Sequence, residues 1–530
     1  MTTNPASPLP TDRGALLQKL QSTTECDVLV VGGGATGLGV ALDAASRGHK
    51  VVLLEAHDFA KGTSSRATKL VHGGVRYLAQ GNISLVYEAL HERSTLLRNA
   101  PHLAQPLPFV VPVYRRWDQL FYGAGLALYD LLAGKAGLGR TRLLSKAQTL
   151  LAIPGVKQQG LCGGVQYWDG QFDDARLALA LARTAAREGA LALNYCRVDS
   201  LEYEAGRVSG VRWVDALGGA SGAIRARCVI NATGVWVDAL RTPDGAHGNR
   251  ATEPLVTPSQ GVHLVVDRGF LLGDKALMVP KTSDGRVLFA VPWLGKVILG
   301  TTDTQRSNMP LEPQAFEEEI DFILRESANY LQRRPLRSDV RSVWVGLRPL
   351  VKPQSSGYGG TKSISREHTV DVSQTGLVTV TGGKWTTYRA MAEDVLAKCA
   401  SAGLLSDCGA GRTAQLPLVG AQMGGRLTQE QGLHIYGSER ISVDALPGGD
   451  TYLVDGLTEA MVRFAVRYEY ARTVEDVLAR RSRLLFLDAR KAMQVAESVA
   501  AILRSEGVAD PFLQEFNELA KGYGFFQESC

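Results

Sequence analysis

The sequence is short of several things, and each shortage removes a class of protein. Its seven cysteines, Cys26, Cys162, Cys196, Cys228, Cys399, Cys408 and Cys530, are scattered through 530 residues with no Cys-x-x-Cys pair. That argues against a disulfide framework, a zinc site or an iron–sulfur cluster, so no metal is expected and a reducing compartment fits best. Charge of one sign is scarce too: 58 basic against 53 acidic residues leave +5, too small an excess to argue for nucleic acid. Long apolar runs are missing. The most apolar stretch, residues 120–132 (LFYGAGLALYDLL), contains Asp130 and falls short of the roughly 20 residues that cross a bilayer. Residues 1–24 are rich in Thr, Ser and Pro but lack the basic start and apolar run of a secretory signal. They are expected to form a disordered tail, and no repeats follow it.

What remains is an ordinary globular composition, 45% hydrophobic and 21% charged. A chain this long exceeds one core, so two or three are expected, built in part from discontinuous segments. The most informative stretch is residues 27–55, DVLVVGGGATGLGVALDAASRGHKVVLLE. Four apolar residues, Val28 to Val31, run into Gly32-Gly33-Gly34-Ala35-Thr36-Gly37 and then into small and apolar residues at helical spacing. A second apolar run ends in Glu55, 18 positions beyond Gly37. Strand, tight turn and helix in this order form a dinucleotide site: Gly32 permits the turn, Gly34 admits a pyrophosphate to the backbone, and Gly37 lets helix pack on strand. The helix amino terminus offers free N–H groups to phosphate. Glu55 suits a ribose 2′-hydroxyl and would repel a 2′-phosphate, which leaves NAD or FAD.

Further βαβ units would follow in an NAD domain. Here the next stretch, residues 60–82 (AKGTSSRATKLVHGGVRYLAQGN), is loop-like and dense in Gly, Ser and basic side chains. Two later strands also end in glycine turns, at Ala232-Thr233-Gly234 and at Gly382-Gly383. Three such ends far apart in sequence suggest one extended cofactor, FAD. The expected fold is α/β, with a Rossmann-like FAD-binding domain from residues 25–110, 161–260 and 376–400. An excursion spans 111–160. The period changes toward two after residue 261, which predicts a mostly antiparallel substrate-capping sheet over 261–375. Apolar positions at helical spacing predict a C-terminal α-helical domain over 409–530.

The motifs GGGATGLGVALDAASRG, SSRATKLVHGGVRYL, VINATGVWVDAL, FAVPWLGKVILGTTD, VGLRPLV, ISREHTV and TGGKWTTYRAMAED, in that order and over nearly the whole chain, closely resemble the FAD-dependent glycerol-3-phosphate dehydrogenases of the aerobic, respiratory type. The resemblance implies oxidation of sn-glycerol 3-phosphate to dihydroxyacetone phosphate, with hydride passing to flavin N5. It implies flavin contacts at Gly32, Gly33, Gly34, Thr36, Gly37, Glu55, Thr63, Ser64, Ser65, Lys69, Leu70, His72, Gly73, Val198, Ala232, Thr233, Gly234, Gly383, Lys384, Thr386 and Thr387. Arg348 and Arg366 match the family's substrate arginines; Arg76 and Lys384 match further cationic positions. Guanidinium groups suit phosphate because they donate paired hydrogen bonds. His263 matches a substrate-site histidine and is the chosen base, with Arg348 stabilising an alkoxide as the other option. Thr302 matches a substrate contact, with Tyr77 beside it.

The partners implied are sn-glycerol 3-phosphate, a membrane quinone and an anionic membrane surface, with a homodimer left open and no nucleic acid. The expected location is cytoplasmic, peripheral on the inner membrane's cytoplasmic face. Residues 120–132, flanked by Arg115-Arg116 and the basic segment 135–142, have the character of an interfacial helix; a buried helix with solvated ends fits equally. Rival functions are a glycerol-3-phosphate oxidase that reduces oxygen to peroxide, a non-catalytic FAD-bound interaction module, and an FAD protein acting on RNA.

Overall fold

Residues 28–31 are apolar on both faces of a strand, the pattern of a strand covered on both sides, and the computed structural model places them at the centre of a sheet. It describes residues 7–78, 82–248, 253–352, 368–406 and 409–525, with the side chains of Arg76 and Tyr77 outside that description. The strand Glu25–Val31 lies between Val51–Leu54 and Ser221–Asn231, and both pairings are parallel. Val378–Gly382 adds in parallel beside Ser221–Asn231, and Leu191–Leu193 beside Val51–Leu54. His368–Val372 closes one edge antiparallel, and the meander Cys196–Glu204, Arg207–Asp215, Ser221–Asn231 extends the sheet. The last two of these strands are joined by a tight hairpin turn after Asp215.

Helices Ala35–Ser46, Asp174–Arg187 and Tyr388–Ser401 share a core with the central strands of this sheet. Parallel order has a functional consequence. The carboxyl ends of Glu25–Val31, Ser221–Asn231 and Val378–Gly382 fall side by side, so the three glycine turns form one edge, the place where open α/β sheets bind ligands.

Among the described residues the second sheet has ten strands. Its spine runs from Val256–Asp267, flanked by Val340–Val351 and Lys296–Gly300, through Leu288–Trp293 and Ala276–Val279 to Ala104–Val113 and Gly163–Phe172. Every pairing is antiparallel except Ala276–Val279 on Ala104–Val113. The domain limits therefore differ from those expected. Ala104–Val113, split at 110 between the cofactor domain and the excursion, and Gly163–Phe172, assigned to the cofactor domain, belong here, because Phe109, Val111, Val165 and Tyr167 pack with Trp293 and Ile298. Arg142–Ser145, from the 111–160 excursion, pairs with Gly163–Phe172. Conversely His368–Val372 belongs to the cofactor sheet.

Helices Glu459–Tyr468, Ala489–Ser505 and Leu513–Lys521 follow the expected periodicity. They share one core with the capping sheet instead of forming their own. Over residues 7–24 the structure does not have the expected disordered tail: Arg13–Ser22 is a helix capped by Asp12, whose Oδ1 accepts from the Ala15 N–H at 2.8 Å. Leu20 packs into the core around Trp213, the Thr11 N–H donates to the Arg467 carbonyl, and Arg13 pairs with Asp215 at 2.5 Å. Leu16, Leu17 and Leu20 supply an apolar face hidden by the polar composition around them.

Candidate active site

The cofactor edge is built by close backbone approach. Gly32 has φ 108°, and a Cβ there would stand 2.7 Å from the Ala232 carbonyl oxygen; a Cβ on Gly37 would collide with the Gly32 carbonyl. Only glycine lets strand, turn and helix meet this tightly. Glu55 ends the second strand with its carboxylate across the loop, accepting from the Gly33 N–H at 2.6 Å and the His57 N–H at 2.8 Å. Burial pushes its pKa up, and the two N–H donors oppose that. Gly34 caps the helix, and the first helical amide, Ala35, donates to Ser64 Oγ at 2.9 Å. A polar oxygen thus already sits where an anion would.

Residues 63–73 wrap this edge. Thr63 Oγ1 donates to the Leu347 carbonyl at 2.5 Å and Arg66 to the Val345 carbonyl at 3.2 Å, which staples the loop to the capping strand Val340–Val351. Trp385 Nε1 donates to the Ser64 carbonyl at 2.8 Å, and Thr386 Oγ1 reaches the His72 carbonyl at 3.5 Å. Thr233 bonds Asn231, Gly234 has φ 65° and its carbonyl accepts from Thr381, and Gly383 has φ 73°. Thr387 Oγ1 bonds the Lys384 carbonyl, and Thr36 lies in the first turn of the glycine-loop helix. Val198 lies on the first meander strand at a register shift. Leu70 is buried beside Gln171, and the Gly73 N–H donates to the Tyr129 hydroxyl at 2.8 Å. Lys69 and Ser65 do not present side chains outward: both are buried, and Lys69 is taken up by Asp174. These backbone contacts, the acid at the strand end and the helix terminus fit an extended dinucleotide.

Strand register builds the facing wall. Ser259 pairs with Arg348, Gly261 with Gly346 and His263 with Trp344; at a period of two, all six lie on one face. His263 and Arg348 are thus separated only by a glycine pair. A Cβ on Gly261 would collide with the Arg348 guanidinium, and one on Gly346 would come within 2.7 Å of the Arg66 carbonyl. The bare stretch accommodates the arginine on one side and the flavin loop on the other. Arg348 Nη1 and Nη2 donate to the Thr302 carbonyl at 3.1 and 3.2 Å, and Nη1 meets Asp303 at 3.2 Å. The strand carrying it packs against Val378–Gly382, Gly234–Trp236 and Thr63–Ser65, at the cofactor edge.

His263 is buried, stacked on Trp344 at 4.0 Å and 19° between planes, with Nε2 3.0 Å from Thr68 Oγ1. Its Nδ1 has no hydrogen-bond partner among the described residues. Burial, then the charges of Arg348 and Lys69, hold its pKa well below the ordinary value, so the ring is neutral at working pH. A neutral imidazole beside an arginine can take a proton while an anion is held. Thr302, expected at the substrate, is tied into this wall. Its buried hydroxyl accepts from the Val262 N–H at 3.0 Å and donates to Glu319 at 2.8 Å, while its carbonyl orients Arg348. Arg366 lies outside the described residues, as do the side chains of Arg76 and Tyr77. Thr68, Trp344, Gly261 and Gly346 escaped the sequence reading; glycines inside the strand patterns SQGVH and WVGLRP were the available signal.

The chain resembles known proteins over nearly its whole length. Residues 27–389 match the FAD dependent oxidoreductase family, and residues 411–510 match the C-terminal domain of alpha-glycerophosphate oxidase. The mitochondrial glycerol-3-phosphate dehydrogenase of Macaca fascicularis is 42% identical over 563 residues, covering 99% of this chain and 76% of that protein. Its Arabidopsis thaliana counterpart is 39% identical, covering 94% and 86%. Among solved structures, the glycerol-3-phosphate dehydrogenase of Bacillus halodurans complexed with FAD superposes with a TM-score of 0.74 at 29% identity, covering 98% of this chain and 99% of that one. With the glycine edge, the loop that wraps it and the cationic wall in place, the chain belongs to the FAD-dependent glycerol-3-phosphate dehydrogenases.

Proposed function

We propose that this enzyme oxidises sn-glycerol 3-phosphate to dihydroxyacetone phosphate at the wall formed by His263 and Arg348, and that the electrons leave to a membrane quinone. The observation that carries the reading is the register that sets these two side chains on one face, two glycines apart, against the cofactor edge. When bound, FAD supplies the hydride acceptor. Gly32, Gly34, Gly37, Glu55 and the 63–73 loop hold it. Arg348 draws in the anionic substrate, together with Arg76, Arg366 and Lys384. Neutral His263 takes the proton of the secondary hydroxyl as the C–H bond gives up its electron pair, and the carbonyl forms.

A peripheral membrane position is supported by the helix Arg116–Ala133. One side is buried through Gly123, Leu126, Tyr129 and Ala133. The other exposes Trp117 at 82%, Phe121 and Leu131 at 75% each, Leu120 and Leu128, between the exposed cations Arg115, Arg116, Lys135, Arg140 and Arg142. Among the described residues no helix is long and apolar enough to cross a membrane, so an apolar ridge rimmed by cations suits the surface of an anionic bilayer, on the cytoplasmic face of the inner membrane.

A second reading, with oxygen as acceptor, is favoured by the oxidase-type C-terminal match over 411–510. Turnover with a short-chain quinone, with and without anionic vesicles, tests the choice. The quinone reading expects quinone reduction stimulated by vesicles and little peroxide; stoichiometric peroxide without quinone would overturn it.

A further inference from the structure

Lys69 takes no part in the wall described above, yet it lies directly behind it. Its side chain is fully buried and its backbone is left-handed, at φ 65°, a conformation kept only where the surroundings impose it. The ammonium donates to the Ser65 carbonyl at 2.8 Å and to both Asp174 oxygens at 2.9 and 2.7 Å. Arg483, also buried and left-handed at φ 59°, donates to the same Ser65 carbonyl at 2.8 Å and to Asp174 Oδ1 at 3.1 Å, and lies 3.6 Å from Asp173. Two basic and two acidic side chains form one buried cluster.

That group faces the active site through aromatic rings. Lys69 Nζ lies 4.5 Å from the centroid of Trp344 and 5.2 Å from that of Trp293. Trp344 is the ring on which His263 stacks. The residue preceding Lys69 is Thr68, whose hydroxyl meets His263 Nε2. The stacking contact on the imidazole face and the hydroxyl contact on its edge therefore both trace back to the anchored lysine. A cation against an indole is attracted by the ring quadrupole, more strongly when desolvated.

We infer that Lys69 is a positioning residue for His263: anchored by Asp174 and Arg483, it fixes the imidazole through the Trp344 ring and through Thr68, and so aligns the base with the hydroxyl it deprotonates. This rests on the assignment of His263 as base. The charges facing His263 are Arg348 and Lys69; those facing Lys69 are Arg483, Asp173 and Asp174. The lysine's own pKa is pushed down to about 7 by burial and by Arg483, with Asp174 opposing.

The test is anaerobic flavin reduction by sn-glycerol 3-phosphate across pH, in FAD-loaded wild type, Lys69→Met, Trp344→Phe and His263→Asn. Lys69→Met is expected to lower the limiting reduction rate roughly 10- to 100-fold with little change in the substrate concentration at half-saturation. It should also move the acid limb of the profile up by on the order of one pH unit, because losing a nearby cation lets the imidazole keep its proton to higher pH. Trp344→Phe is expected to lower the rate with a smaller displacement of the limb. A Lys69→Met protein that holds FAD and matches wild type in rate and profile, or loses only thermal stability, overturns the inference. If Lys69→Met fails to fold, an unchanged rate in Trp344→Phe overturns it. His263→Asn separates the two levels: an acid limb that survives there removes the base assignment and this inference with it. A limb lost there but unmoved in Lys69→Met removes only the positioning role.

Discussion

At the scale of single residues, two consequences are sharp. Gly261 is open because Arg348 lies across it, so Gly261→Ala must displace the guanidinium while leaving the FAD edge intact. The expected result is normal FAD content with kcat/KM for sn-glycerol 3-phosphate reduced roughly 100-fold, the scale of one lost charge-assisted contact. The other concerns acid. Burial, then the charges of Arg176 and Arg183, lower the His102 pKa to about 3 from an ordinary 6.5, and His263 is depressed as well. For a histidine depressed in the fold, the unfolded chain binds more protons below about pH 6.5. Stability is then full above that pH and falls as pH drops, by about 1.4 kcal/mol per unit for each such histidine until its folded pKa is reached. Denaturant midpoints measured from pH 7.5 to 5 check this, and a flat profile contradicts it.

At the scale of elements, the helix Arg116–Ala133 carries the membrane reading. Replacing Trp117, Phe121 and Leu131 by Ser removes three exposed apolar side chains that share no buried contact with the cofactor edge. Vesicle binding is expected to weaken by roughly 100-fold or more, since each apolar side chain transferred contributes about 1.5–3 kcal/mol. Flavin reduction by substrate should be unchanged; co-sedimentation and stopped-flow reduction measure the two separately. Elements were also what the sequence showed best. The strand–glycine–helix opening, the later glycine turns and the C-terminal helices follow from local periodicity. Sheet membership did not, because Ala104–Val113 and Gly163–Phe172 read as strands without saying which sheet they join. Likewise resemblance alone singled out His263 and Arg348, whereas Trp344 and Gly346 owe their place beside them to cross-strand register, a non-local fact. The helix over 13–22 escaped because Thr, Ser and Pro around it masked three leucines.

At the scale of the whole molecule, the cofactor loop is held from two other regions of the chain. Asp58 accepts from Arg480 and Arg481, the latter with one contact of 3.0 Å, and from Asn194 at 3.0 Å. Lys61 and Arg66 pair with Glu312 at 2.8 and 2.7 Å, and Tyr523 bonds the same carboxylate at 3.0 Å. Burial raises the Asp58 pKa, but Arg481 and Arg480 outweigh it and keep the carboxyl ionised. Asp58→Asn takes the carboxylate partner from buried Arg481 and leaves Arg480 to Glu475 and Asp476, and is expected to cost about 3–5 kcal/mol, seen as a lower unfolding midpoint and easier loss of FAD. An unchanged midpoint would mean that the C-terminal region does not brace the loop.

In the function proposed, one wall, His263 and Arg348 across a glycine pair, meets the flavin edge and selects a phosphorylated alcohol. Anaerobic titration of the flavin absorbance tests it most directly. The wild-type flavin should bleach with sn-glycerol 3-phosphate, resist plain glycerol, and bleach only at far higher substrate in Arg348→Ala. Equal bleaching by glycerol, or an Arg348→Ala protein indistinguishable from wild type, would contradict the account.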